Sequence, residues 1–269
     1  MKTNRSIEPL QQWKDANAYD LYVGRWSKLI SADFIEWLDP RPNAKWLEIG
    51  CGTGALTSEI VAHRSPSHLL AVDTSEIYLT EARKLINSAQ VSFLNADLTI
   101  VEIPDEFDEI TSGLVLNFIP GIEQMLFKTL NNLKKGGRIS AFVWDYAGHY
   151  QPMRHFWNAA RDVHEHADKF DAGIKYKLCR KENIISLFES LKLSHVKISN
   201  IESIATYVDF EDYWLPIKSA QGSVAEFLAT LTSNEIMMLG EHLRSRLPIS
   251  SNGEIKLIIS ALAIEGTKL

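Results

Sequence analysis

Trp46-Leu47-Glu48-Ile49-Gly50-Cys51-Gly52-Thr53-Gly54 is a short apolar run that breaks into a glycine-rich turn. Its spacing predicts a buried strand over Lys45–Ile49 and a helix over Ala55–His63. Gly50, Gly52 and Gly54 let the backbone take positive φ and approach a ligand with no Cβ in the way. The helix that follows offers backbone N–H donors and the positive end of its dipole. About twenty residues on, Val72-Asp73 closes a second apolar run, where a carboxylate can accept both hydroxyls of a ribose. The turn and Asp73, with Thr74 beside it, therefore predict an adenosine-containing cofactor. Gly50-x-Gly52-x-x-Ala55 also satisfies the dinucleotide fingerprint, so these residues alone leave nicotinamide and sulfonium cofactors both open.

Outward from this turn, short apolar runs alternate with amphipathic stretches. Strands are expected at Ser67–Val72, Val91–Leu94, Phe107–Leu116 (broken at Gly113) and Arg138–Trp144. Helices are expected at Ser75–Ser88 and after Pro120, the latter ended by Gly136-Gly137. This rhythm implies right-handed crossovers and a doubly wound, mainly parallel α/β sheet. After Trp144 the rhythm breaks. Gln151–Ala167 and Lys181–Leu191 read as helices, Leu193–Ser199 and Glu254–Ile264 as strands, and Thr232-x-x-Glu235 as a capping box. The chain is expected to be one domain over 1–269. It divides into an amino-terminal helical segment 1–43, a cofactor-binding core 44–145, and cap insertions at about 146–180 and 202–253.

Three features separate the cofactors. Glu48 precedes the turn, giving Glu-x-Gly-x-Gly-x-Gly, and its carboxylate can order the loop beside an ammonium group. Asn95-Ala96-Asp97-Leu98 follows the third strand, where Asp97 can accept from an adenine amino group while Ala96 and Leu98 cover the ring. The Tyr-x-x-x-Lys pair of short-chain dehydrogenases is absent. S-adenosylmethionine is the expected cofactor. An NAD(P)-dependent oxidoreductase and a cofactor-binding module without turnover are the competing classes.

With these residues in place, the chain resembles the class I S-adenosylmethionine-dependent methyltransferases. Glu48–Gly54 looks like that family's first motif, Asp73 like the acidic end of its second strand, and Asn95-Ala96-Asp97 like its adenine-contacting turn. Phe107-Asp108 through Gly113-Leu114-Val115-Leu116-Asn117-Phe118-Ile119-Pro120 resembles its fourth-strand motif, and Leu133–Arg138 its Gly-Gly turn. The resemblance spans residues 19–145. It implies a Rossmann-like seven-stranded sheet with an antiparallel last strand, and a cofactor over the carboxyl ends of the first, second and fourth strands. It also implies that Leu114 and Asn117 face the cofactor. Tyr22 and Arg25, on a stretch similar to the family's leading helix, would close on the methionine moiety, Arg25 as a charge-assisted fork on its carboxylate.

Alkylation by an activated methyl needs chiefly alignment and exclusion of water, with a general base only for poorly acidic acceptors. His149, in Trp144-Asp145-Tyr146-Ala147-Gly148-His149-Tyr150, is the candidate base. Asn117, Tyr22, Trp26, His155, Trp157 and Trp214 are candidates for an apolar acceptor pocket, core packing being the commoner role for the tryptophans. The chain has 269 residues, 45% hydrophobic and 23% charged, with net charge −6, which offers nothing to a phosphate backbone. Leu116-Asn117-Phe118-Ile119-Pro120 is not the Asn/Asp-Pro-Pro-Tyr clamp used on flipped bases. A nucleic-acid substrate is disfavoured, and a small, partly apolar acceptor methylated at oxygen, nitrogen or carbon is expected. His164-Glu165-His166 places its imidazoles at i, i+2, where they diverge on a helix, so no metal is expected. Two cysteines, no secretory h-region and no long apolar run point to a cytoplasmic protein without a membrane span.

Overall fold

A computed structural model describes residues 24–219 and 221–269. Helix α1 (Arg25–Leu38) leads into β1 (Lys45–Ile49), α2 (Ala55–Arg64), β2 (His68–Asp73), α3 (Glu76–Leu85) and β3 (Val91–Asn95). Then come β4 (Phe107–Gly113), α4 (Ile122–Thr129) and β5 (Leu133–Trp144). Helices α5 (Gln151–Val163), α6 (Ala172–Lys175) and α7 (Lys181–Ser190) precede β6 (Ser194–Tyr207). Helices α8 (Phe210–Lys218), α9 (Ser223–Leu228) and α10 (Ser233–Arg246) precede β7 (Ile255–Thr267).

The seven strands form one sheet in the order β3-β2-β1-β4-β5-β7-β6. The first five run parallel, and β7 is antiparallel to both β5 and β6. The expected Rossmann-like architecture is therefore the observed one. It follows from a period of two that buries both faces of each central strand. Leu47 and Ile49 of β1, with Ile139, Ala141 and Val143 of β5, pack under α4 and α7. Trp46, Phe142 and Trp144 point the other way, toward Ile30 and Phe34 of α1 and Leu56 and Ile60 of α2.

The amino-terminal edge of the sheet is tied by Arg138. Its guanidinium donates to both oxygens of Glu109 (3.1 and 3.0 Å), to Glu265 (2.9 Å) and to the Leu38 carbonyl (2.7 Å). One planar donor set thus joins β4, β5, β7 and the end of α1, a geometry that a lysine cannot reproduce. Burial raises the Glu109 carboxyl despite the cation beside it.

Several boundaries depart from the sequence reading. Gly136 and Gly137 do not end a helix. Helix α4 stops at Thr129, and the glycines form an irregularity inside β5, where the β4–β5 register slips between Phe107 and Glu109. Gly136 takes φ 71°, which a bulge needs and glycine allows. Residues 202–207, expected in an insertion, belong instead to β6, which runs to Tyr207. Ile201, Ala205 and Tyr207 alternate inward there with exposed Glu202 and Thr206, a strand signal present in the sequence. Helix α5 ends at Val163, with His164 extended at its C-cap. Among the described residues, no helix is long and apolar enough to cross a membrane.

Candidate cofactor and acceptor site

The carboxyl ends of β1 to β5 open on a cavity of about 530 Å³, within the usual range for small-ligand sites. At its floor the Gly50 and Cys51 N–H groups both donate to the Val72 carbonyl (2.8 and 3.0 Å), folding the turn back over β2. Gly50 has φ 70°, and a Cβ there would lie 2.5 Å from Val115 Cγ1. Gly52, at φ 54°, has no atom within 4 Å of where a Cβ would stand, so its backbone is bare toward the cavity.

Asp73 organises this floor. Its Oδ2 accepts the Gly52 N–H (2.9 Å), its Oδ1 the Ser75 N–H (2.8 Å), and its carbonyl the Ala96 N–H (3.1 Å). One residue thereby fixes the loops after β1, β2 and β3. Burial raises its carboxyl above the usual range, while the Ser75, Gly52 and Thr74 N–H groups oppose that rise. Each oxygen keeps acceptor capacity for a hydroxyl. Thr74, Ala96, Asp97 and Leu98 line the cavity beside it, and Asp97 Oδ1 is held by the Thr99 N–H (2.8 Å) and hydroxyl (2.6 Å).

Glu48 lies beneath the turn. It is 1% exposed and accepts the Thr57 hydroxyl at 2.6 Å, which anchors the turn to α2. Burial, with the Asp73 charge adding to it, pushes its carboxyl up to about 7. The same surroundings raise the Cys51 thiol well above its ordinary value, so the sulfur is no nucleophile at neutral pH.

At the β4 end, Leu114 lines the cavity at φ 65°, its N–H bonded to the Phe142 carbonyl (2.8 Å). A left-handed leucine is a strained backbone, and such strain collects where a chain is held for a ligand. Phe118, Trp144 and Tyr146 complete the wall.

The comparisons with known proteins agree with this geometry. A family model described as a methyltransferase domain matches residues 47–137. The matched residues include the Glu48–Gly54 turn, Asp73 and Asp97, the features that carry the resemblance to the class I S-adenosylmethionine-dependent methyltransferases. The bare Gly52 backbone and the Asp73 carboxylate suit the nucleoside of S-adenosylmethionine. A malonyl-[acyl-carrier protein] O-methyltransferase of Acetivibrio thermocellus is 23% identical over 185 residues, 66% of this chain and 64% of that one. A ubiquinone biosynthesis O-methyltransferase of Pseudomonas fluorescens is 29% identical over 112 residues, 39% of this chain and 47% of that one. The chain thus spans less than two thirds of the length of both. The structure of Haemonchus contortus phosphoethanolamine N-methyltransferase 2 with S-adenosyl-L-methionine shares the fold, with TM-score 0.61 and 17% identity, covering 100% of this chain and 60% of that one.

Other expected site residues stand elsewhere. Gly54 opens α2, where a Cβ would meet Ile86 Cδ1 at 2.6 Å. Asn117 turns from the cavity and accepts the Leu178 N–H at 3.0 Å. Arg25 donates to Asp212 Oδ1 (2.8 Å), with its guanidinium 4.3 Å from the Trp26 ring centre and 4.7 Å from that of Tyr207. His149 is a surface residue, its side chain 71% exposed and 3.2 Å from Glu202. Tyr22 lies outside the described residues. Trp26, Trp157 and Trp214 are buried in the core, and burial lowers the pKa of His155. The aromatic pair Trp144 and Tyr146 had a sequence signal in its place just past the end of a strand, since such ends carry the ligand in open α/β sheets.

Proposed function

We propose that this chain is an S-adenosylmethionine-dependent methyltransferase that alkylates a small, partly apolar acceptor at oxygen, nitrogen or carbon. The observation that carries the reading is the division of one cavity into a polar floor at β1–β3 and an apolar wall at β4–β5. The floor would hold S-adenosylmethionine: Asp73 on the ribose, the loop at Asp97 and Leu98 about the adenine, and the Gly50–Gly52 backbone against the methionine moiety. Bound there, it supplies a methyl group on cationic sulfur. The protein contributes alignment and a water-poor wall.

The named activities of the relatives, O-methylation in one case of malonyl-[acyl-carrier protein] and in the other in ubiquinone biosynthesis, support transfer to a small group over transfer to nucleic acid. We assign the helical stretches after β5 and β6 to a cap over the acceptor, and place the reaction in the cytoplasm, where free Cys51 and Cys179 stay reduced. Calorimetric titration with S-adenosylhomocysteine and with NADPH tests the cofactor, and formation of S-adenosylhomocysteine from S-adenosylmethionine across phenols, amines and acids tests turnover. Tight NADPH binding without response to S-adenosylhomocysteine would sink the reading. Tight cofactor binding with no turnover across the panel would favour a binding module instead.

A further inference from the structure

We infer that the β4–β5 end of the cavity, bounded by Phe118, Trp144 and Tyr146, is an acceptor subsite for an uncharged planar ring and discriminates against carboxylates. The inference rests on the methyltransferase reading and adds the acceptor's chemical class.

Sheet order sets the direction. Asp97 follows β3, Asp73 ends β2 and Gly50 follows β1, so a nucleoside anchored on the two carboxylates extends from β3 toward β4. Its reactive end then faces Leu114, Trp144 and Tyr146. The charged side chains that line the cavity, Asp73, Glu76 and Asp97, are all acidic and stand at or just after the ends of β2 and β3. Among the described residues no lysine, arginine or histidine lines it. A carboxylate brought against the aromatic wall would lose its water without gaining a counter-ion, whereas a neutral ring finds aromatic faces and edges.

The wall is braced from outside. Asp145 Oδ2 accepts the His149 N–H (2.8 Å), and its carbonyl accepts the N–H groups of Gly148 and Tyr150 (both 3.1 Å), closing a tight turn that carries Tyr146. The Tyr150 ring packs 4.6 Å from Trp144 and 5.4 Å from Tyr146. Against the back of this turn lies α6. A Cβ on Gly173 would stand 2.5 Å from the Tyr146 carbonyl oxygen and 2.9 Å from Ala147 Cα. Helix α6 is itself fixed by Asp171, fully buried, which accepts the Gly173 N–H (2.8 Å) and pairs with Arg154 and Arg161 of α5. On the other side Phe118 meets the Tyr176 ring edge-on at 5.0 Å. Residues remote in sequence thus hold three aromatic side chains at one end of the cavity.

For a hydroxylated ring, an oxygen lone pair forms the bond to the methyl carbon as the carbon–sulfur bond breaks. That bonding pair stays on sulfur as a neutral thioether, and the hydroxyl proton leaves to water.

Titration calorimetry on the protein saturated with S-adenosylhomocysteine tests this with a matched pair, 4-ethylphenol and 4-ethylbenzoate. The phenol is expected to bind roughly tenfold or more tightly than the benzoate. Gly173→Ala, and independently Phe118→Ala, should each weaken the phenol about fivefold or more while leaving S-adenosylhomocysteine affinity within about twofold. Equal or tighter binding of the benzoate, binding of neither compound, or phenol affinity untouched in both variants would overturn the inference. Loss of S-adenosylhomocysteine binding by the unmutated protein would strike the cofactor reading instead.

Discussion

The two ends of the cavity are built by opposite means. The cofactor floor is made from backbone. Gly50, Cys51 and Gly52 lie within three positions of one another, and a single side chain, Asp73, collects the loops around them. The apolar wall is made from side chains whose places are set by partners far along the chain: Tyr146 by Gly173, Phe118 by Tyr176, and the β4–β5 face by Asn117 bonding Leu178.

The comparison breaks most visibly at Asp171. Asp171→Ala leaves Arg154 and Arg161 without their buried partner and is expected to cost about 3 to 5 kcal/mol of stability by denaturant unfolding. In the protein that remains folded, S-adenosylhomocysteine affinity should change far less than acceptor affinity. Asp73→Ala attacks the floor instead. Orphaning the Gly52 and Ser75 N–H groups and removing the ribose acceptor should weaken S-adenosylhomocysteine by about a hundredfold in calorimetry, on the order of 3 kcal/mol.

A subtler break lies under the turn. Because folding raises the Glu48 carboxyl to about 7, its contribution to stability is complete below the unfolded value near 4.5 and is lost as pH rises through about 7. Unfolding of the ligand-free protein between pH 5 and 8 should therefore show a falling component on the order of 3 kcal/mol that Glu48→Gln removes. An unchanged pH profile in that variant would mean that Glu48 is ionised in its pocket. The smallest effect belongs to His149→Ala. An exposed imidazole beside Glu202 should shift stability by less than about 0.5 kcal/mol and leave turnover within about threefold. A loss of a hundredfold or more would return His149 to the chemistry.

The same contrast explains what the sequence discloses. Strand β1, the turn and Asp73 are legible because the chemistry there is local: an apolar run, a glycine pattern and a carboxylate at a fixed spacing all state one thing. The antiparallel β7 followed from the family resemblance, and its alternation is plain from Ile255 to Ile259. Arg25 and Asn117 misled for the same reason that Tyr146 could not be fully read. Their partners, Asp212, Leu178 and Gly173, stand far off in sequence, and no local period reports such a meeting. Gly136-Gly137 misled by composition, since glycines that stop a helix also make a bulge.

The strand order has a consequence for synthesis. β7 slots between β5 and β6, yet it is translated after both, so a nascent chain carries the parallel half of its sheet with the β5 edge open until Ile255–Thr267 arrives. Open strand edges recruit other strands. The Arg138 knot, which reaches forward to Glu265, cannot close during that interval, and only Glu109 and the Leu38 carbonyl hold the guanidinium. The last strand is thus the lock of the sheet, and a ribosome that stalls before it leaves a template for aggregation.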